Sequence, residues 1–141
     1  CMMSFIRAHN FHEKNAGELM LTQVRNDNQK TVMGILSLLP GLRELSHLNA
    51  EIAWYNDRDT RLLYIWQSDS RVQGVLGVEL LPQEIALIRH AALTPESRTA
   101  ANYFAMLSEF QNQNQTLFIM GTLDNQKLIN KWRKSSSQHV V

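Results

Sequence analysis

Three side chains in this sequence join proton-transfer chemistry to a position near the end of a strand: Glu79, Glu84 and His90. An imidazole titrates near neutrality, so His90, on a segment that runs into Thr94-Pro95, is suited to take up a proton and give it back. Glu79 and Glu84 are carboxylates that can act as bases in the same region. Each residue also has a plainer reading. His90 can be a hydrogen-bonded, partly buried histidine, Glu79 a solvent-facing charge after an apolar stretch, and Glu84 a turn charge after Pro82-Gln83. Other chemistries do not stand out. There is no Ser/His/Asp triad, and His9, His12, His47, His90 and His139 are scattered without metal-ligand spacing. Cys1 is the single cysteine, which rules out a disulfide within the chain and a Cys-based metal site. Gly74 and Gly77 share one strand with no helix after it, so they form no phosphate loop and mark a bulge or a close backbone approach.

These residues need elements to position them. Residues 21–24 read as a short strand, and Asn26, Asp27 and Asn28 as a turn or cap. From Thr31, apolar residues Val32, Ile35, Leu36, Leu38 and Leu39 follow helical spacing until Pro40-Gly41. A second helix is expected over 42–55, with Leu42, Leu45, Leu48, Ile52 and Tyr55 on one face. Short runs follow: a strand over 62–67, a turn at Ser68-Asp69-Ser70-Arg71, a strand over 72–81, a turn at Pro82-Gln83 and a strand over 84–93. Two tight connections in succession predict an antiparallel meander. A helix over 99–111, a strand over 116–121 and a last helix from Asp124 or Asn125 to about Lys134 complete the order, with residues 135–141 frayed. The order β-α-α-β-β-β-α-β-α predicts an α+β fold with a mixed sheet and helices on both faces. Trp54, Tyr55, Tyr64 and Trp66 read as core, with Trp54 alternatively turned outward towards a pocket or an interface.

Composition narrows the setting. The 141 residues fit one domain, and 44% hydrophobic content supports a self-sufficient core. A formal net charge of +1 carries no electrostatic footprint for nucleic acid or an anionic membrane. The apolar runs are too short to span a bilayer. With one cysteine, a reducing, cytoplasmic setting is expected.

The element order, together with Val32-Met33-Gly34-Ile35-Leu36-Ser37-Leu38-Leu39-Pro40, Asp59-Thr60-Arg61-Leu62-Leu63-Tyr64-Ile65-Trp66, Gly74-Val75-Leu76-Gly77-Val78-Glu79, Ile88-Arg89-His90 and Thr94-Pro95, resembles the GNAT acyltransferases. Within that family the likeness is to a small group encoded in bacterial riboflavin operons, and it covers about residues 20–112. The resemblance implies acetyl-CoA as co-substrate and an amine acceptor; no metal is expected, from the scattered histidines and the single cysteine. It also implies a pyrophosphate loop of the pattern Arg/Gln-x-x-Gly-x-Gly/Ala opening a helix. Free backbone N–H groups and the helix dipole attract phosphate there, and glycines permit close approach. The matching residues are Arg98-Thr99-Ala100-Ala101-Asn102-Tyr103, with Ala101 and Tyr103 at the glycine positions. This loop is therefore either an adapted coenzyme site or a degenerate one. The preceding strand would hold the pantetheine through main-chain groups of Ala91, Ala92 and Leu93.

The family often uses a Glu on the central strands as base, for which Glu79 and Glu84 are the available carboxylates, and His90 is a candidate beside them by its intrinsic pKa range. The family's tyrosine in Asn-x-x-Ala-x-x-Leu-Tyr is matched by Asn125 at the start and by Trp132 at the tyrosine, and indole cannot release a proton. Tyr103 is then the candidate acid. Lys127, Lys131, Arg133 and Lys134 make the last helix basic, either as a solvated face or as a contact to the coenzyme's adenosine phosphate. The chain ends early for the family, so the acceptor side is expected to be open, absent, or completed by a partner such as a second copy in a homodimer. A non-enzymatic binding or regulatory role is the rival reading.

Residues 1–19 carry no clean periodicity. Gly17-Glu18 can be encoded by a ribosome-binding sequence one codon before Met20, so residues 1–19 read as translated leader and 20–141 as the domain. A real N-terminal helix or arm is the alternative.

Overall fold

The computed structural model describes residues 19–68 and 71–140. The expected leader up to residue 18, the centre of the turn at Asp69-Ser70, and Val141 lie outside the described residues. Five strands, β1 (Met20–Gln23), β2 (Arg61–Gln67), β3 (Val72–Leu81), β4 (Ile85–Leu93) and β5 (Phe118–Gly121), form one sheet in the order β1-β2-β3-β4-β5. The helices are α1 (Gln29–Leu36), α2 (Leu45–Asn56), α3 (Ala100–Gln113) and α4 (Gln126–Val140). Pairing is antiparallel from β1 to β4 and parallel between β4 and β5, as the α3 crossover between those strands requires. The mixed sheet and the element order agree with the sequence-based expectation.

Alternation along the central strands divides the core into two layers. Tyr64, Trp66, Leu76 and Val78 point to one face, where Met106, Leu107 and Phe110 of α3 and Ile129 and Trp132 of α4 cover them. Leu63, Ile65 and Val75 point to the other, beneath Val32, Ile35 and Leu36 of α1 and Leu48, Ile52 and Tyr55 of α2. Both faces of β2 and β3 are therefore buried, which is why these strands read as apolar runs rather than as alternating ones.

Several boundaries differ from the sequence reading, each for a local reason. Helix α1 stops at Leu36, where the Ser37 hydroxyl donates to Gly34 O (2.6 Å). Leu39 is extended because it precedes Pro40. Leu42 is buried in the 3-10 turn Pro40–Leu42, whereas Leu45, expected on the buried face of the second helix, opens α2 with 64% exposure. Gln83 and Glu84 both take left-handed backbone angles (φ 67° and 59°), so Glu84 belongs to the β3–β4 turn and the strand begins at Ile85. Helix α4 continues through residues 135–140, where the sequence predicts fraying. Trp132 anchors it by donating Nε1–H to Ser108 Oγ on α3 (2.9 Å).

Candidate functional site

The sheet opens between β4 and β5. Their parallel pairing runs from Ile85↔Phe118 to Ile88↔Gly121 and stops there. The Thr122 amide still donates to Ile88 O (3.1 Å), after which the chain turns into α4. Asn125 sits in the fork: its side-chain amide donates to Arg89 O (2.9 Å), Ile88 O (3.4 Å) and Thr122 Oγ1 (2.8 Å). Gly121 allows the turn to be this tight, because a Cβ there would lie 2.9 Å from Asn125 C and Gln126 N. The remaining half of β4, Arg89 to Leu93, has no β5 neighbour.

Two cavities follow this unpaired half-strand and share Leu39 and Pro40 in their walls. The smaller, about 290 Å³, is lined by Ala92, Leu93, Arg98, Tyr103 and Arg43. The larger, about 670 Å³, is lined by Glu51, Arg89, His90, Ala91, Thr122, Asp124 and Asn125.

At the smaller cavity, α3 begins with Thr99 as its cap. The Thr99 hydroxyl accepts from the Asn102 amide (3.1 Å), and Thr99 O accepts from the Tyr103 amide (3.1 Å). Among the described residues, the Ala100 and Ala101 amides have no hydrogen-bond acceptor, which is the ordinary state of a first helical turn and suits an anion. The Asn102 side chain donates to Ser97 O (2.7 Å) and ties the loop down. Arg98 folds back and donates to Leu93 O (3.2 Å), covering a carbonyl of the unpaired strand. Tyr103 is half-buried and packs against the core layer of α3 and α4.

At the larger cavity, a β-bulge places the chemistry. Gly77 pairs with His90 and Val78 with Ile88, so Arg89 is the extra residue in β4. Strict alternation would send His90 to the α3 face; with the bulge, Arg89 and His90 both face α2. There Tyr55 Oη meets His90 Nδ1 at 2.6 Å, and His90 Nε2 lies 3.5 Å from Glu51 Oε2. Gly77 makes this possible, because a Cβ at that position would collide with the Tyr55 hydroxyl. Arg89 lies between two carboxylates, 4.0 Å from Glu51 and 3.8 Å from Glu79, with its guanidinium 4.1 Å from the Trp54 ring centre. Arg61 lies 4.0 Å from the same ring and donates to Trp54 O (3.0 Å).

Burial, and then the neighbouring Arg89 charge, push the His90 imidazole down to about 4, so His90 is neutral near pH 7. Burial pushes the Tyr55 phenol well above its ordinary range, and it keeps its proton. The Tyr55 hydroxyl and His90 Nδ1 share a hydrogen bond of 2.6 Å, and Nε2 faces Glu51 Oε2 at 3.5 Å without a hydrogen bond.

Of the residues singled out from sequence, His90, Asn125, Ala92, Leu93, Arg98 and Tyr103 line the two cavities, while Thr99, Ala100, Ala101 and Asn102 form the helix start beside Arg98. Glu79 is outside the cavity walls and reaches them only through Arg89. Arg133 is not a free cation: it donates to Ile119 O and lies over Phe118 (4.7 Å). Trp54 is neither plain core nor cavity wall but a platform for two guanidinium groups. Sequence reasoning missed Glu51, Tyr55 as a polar group, and Arg89. The available signal was the i, i+4 spacing of Glu51 and Tyr55, which puts a carboxylate and a phenol on one helix face.

No family model matches the chain. A 79-residue stretch, 56% of the chain, is 27% identical to an uncharacterised Bacillus methanolicus N-acetyltransferase from the lysA 3' region, and spans 66% of that relative. Solved structures share the fold. An acetyltransferase of Trypanosoma brucei matches with a TM-score of 0.58 and 15% identity, covering 81% of this chain and 90% of its own. The aminoglycoside N-acetyltransferase AAC(6')-Iy in complex with CoA matches with a TM-score of 0.63 and 11% identity, covering 86% and 88%. The aminoglycoside 6'-N-acetyltransferase AAC(6')-Ih of Acinetobacter baumannii gives 0.60 and 14%, covering 83% and 88%. The five-stranded mixed sheet with its four helices is thus the fold of acetyltransferase structures. Among the described residues no helix is long and apolar enough to cross a membrane.

Proposed function

We propose that this chain is a GNAT-type acyltransferase that takes acetyl-CoA as co-substrate and passes the acetyl group to an amine. The observation that carries the reading is the fork between β4 and β5, with cavities that lead from a helix N-terminus past an unpaired strand to a histidine and a carboxylate. A forked sheet offers main-chain groups to a pantetheine arm, and the start of α3 offers amides to its pyrophosphate. In this reading Ala92 and Leu93 hold the arm. Arg98, Thr99, Ala100, Ala101, Asn102 and Tyr103 surround the phosphates, and Asn125 keeps the fork open.

The chemistry is an acyl transfer. The amine loses a proton and attacks the thioester carbonyl; a C–N bond forms, the C–S bond breaks, and the thiolate is protonated. In this reading His90 is the proton-handling group at the acceptor end, Glu79 acts on it through Arg89, and Tyr103 is the candidate acid for the thiolate. The similarly folded AAC(6')-Iy, crystallised with CoA and with a CoA bisubstrate analogue, supports the choice of co-substrate. Acetyl-CoA is a cytoplasmic metabolite, which supports a cytoplasmic setting.

Calorimetric titration with acetyl-CoA and CoA tests the reading. Micromolar affinity is expected, and absence of binding at millimolar ligand would overturn it. One observation favours a second reading, a binding or regulatory domain without turnover. Ala101 and Tyr103 replace the glycines of the family loop, and the Thr99 hydroxyl already holds the Asn102 amide. Under that reading Tyr103→Gly gains coenzyme affinity, whereas an adapted site loses activity or is unchanged. The narrower link to riboflavin metabolism rests on the quoted sequence segments, and quenching of riboflavin fluorescence on binding tests it. The homodimer is tested by sedimentation.

A further inference from the structure

Arg98 holds a main-chain acceptor that lies inside the fork. The Thr94 amide donates to Gln73 O (2.9 Å), so Thr94 is hydrogen-bonded to β3, and Leu93, one residue earlier, turns its N–H and C=O away from β3. The β5 pairing ends at Ile88↔Gly121, so those groups open into the fork. There the Arg98 guanidinium donates to Leu93 O (3.2 Å). We infer that Arg98 is a specificity-determining residue. In the free protein it covers the acceptor that a pantetheine arm would use, and it yields that acceptor only when phosphates draw the guanidinium away, so the site admits coenzyme A and disfavours the arm alone. The inference rests on the coenzyme reading above and adds a condition for entry to it.

Only the side chain has to move. The backbone on either side of Arg98 is tied down: the buried Ser97 hydroxyl donates to Gln73 Oε1 (3.1 Å) and accepts from Thr94 Oγ1 (3.1 Å). Ser97 O accepts from the Thr99 amide (2.9 Å) and from the Asn102 side chain (2.7 Å). Arg98 itself is exposed, so its side chain has room to rotate. The cavity suits the second position. Arg43 and Arg98 both line it, and no carboxylate is among its lining residues. Within those walls nothing competes with a phosphate for either guanidinium.

The exchange favours one ligand class over the other. A guanidinium on a carbonyl joins an ion to a dipole; a guanidinium on a phosphate joins two ions, at shorter distance and often through two parallel bonds. A pyrophosphate therefore offers Arg98 more than Leu93 O does, and the freed carbonyl can accept from an amide N–H of the arm. An arm without phosphates replaces a charged donor on Leu93 O by a neutral one and leaves the guanidinium without that acceptor. It binds against the Arg98 contact. Arg43, which follows the Pro40–Leu42 turn, adds positive charge to the cavity without holding Leu93 O. The two arginines thus separate attraction of the phosphates from control of the strand.

The test compares CoA, titrated by calorimetry, with pantetheine, which has the arm and thiol without phosphates, titrated by NMR against the full chain. Arg98→Ala should bind CoA about tenfold more weakly and pantetheine about threefold more tightly than the wild type. Arg98→Met, which keeps the length of the side chain and removes its donors, should do the same. Arg43→Ala should weaken CoA and leave pantetheine unchanged. A merely structural role for Arg98 would weaken both ligands together. Pantetheine affinity that falls, stays the same or is undetectable in both Arg98 variants overturns the inference, and so does an equal gain in Arg43→Ala. The two readings fail separately. Absence of CoA binding by the wild type at millimolar ligand removes the coenzyme reading, whereas CoA binding without a pantetheine gain in the Arg98 variants removes this inference alone.

Discussion

His90 shows how one residue's surroundings set both its chemistry and its effect on stability. Its folded value of about 4 is below the roughly 6.5 of an unfolded histidine. Between those values the unfolded chain binds more protons than the folded one, so stability rises with pH across that interval and falls as the solution is acidified. The groups that face the ring are Tyr55 and Glu51 from α2 and Arg89 from its own strand, with Glu79 of β3 behind Arg89. The full effect is on the order of 3 kcal/mol. Urea denaturation at pH 4.5, 5.5 and 7 should show it in the wild type and lose most of it in His90→Asn. An unchanged pH slope in the variant would assign acid sensitivity to other groups.

At the scale of the element, Gly34 and Gly77 of the matched segments have opposite roles. Gly34 is exposed within α1, and a Cβ there meets nothing within 4 Å. Gly34→Ala should stabilise the protein by about 0.5–1 kcal/mol, because alanine loses less backbone entropy in a helix. Gly77 lies in β3, where a Cβ collides with the Tyr55 hydroxyl and approaches His90 Cβ at 3.3 Å. Gly77→Ala should cost about 1–3 kcal/mol through forced repacking and should separate Tyr55 from His90. Thermal denaturation of the two variants checks the opposite signs. Asn125 belongs to the same scale: one side chain holds two carbonyls of β4 and the Thr122 hydroxyl, and so joins the turn before α4 to the fork in the sheet.

For the whole molecule, the fork is a discontinuity in an otherwise continuous sheet. Unpaired strand groups and partly exposed cavity walls contribute less stability than closed packing, and a ligand lying between the two sides restores what is missing. Acetyl-CoA at 100 times its Kd should raise the unfolding free energy by about 2.7 kcal/mol, visible as a rise of several degrees in Tm. ATP, which carries the adenine and phosphates without the pantetheine arm, should give a smaller rise. Equal shifts would show that the strand side of the fork contributes nothing.

The sequence by itself determined the element order and the apolar central strands, because period, turn residues and helix caps are local properties. It also pointed to Gly74-Val75-Leu76-Gly77 as a place of close backbone approach. The tertiary structure decided which side chains meet. A single extra residue at Arg89 turns His90 from one face of the sheet to the other, and no periodicity within β4 announces it. Glu51 and Tyr55 read as ordinary helix positions until α2 is laid over that bulge, 35 residues away in sequence for the Tyr55–His90 pair. Charge and burial at a site depend on atoms brought together from distant segments, and that is information that spacing along the chain does not carry.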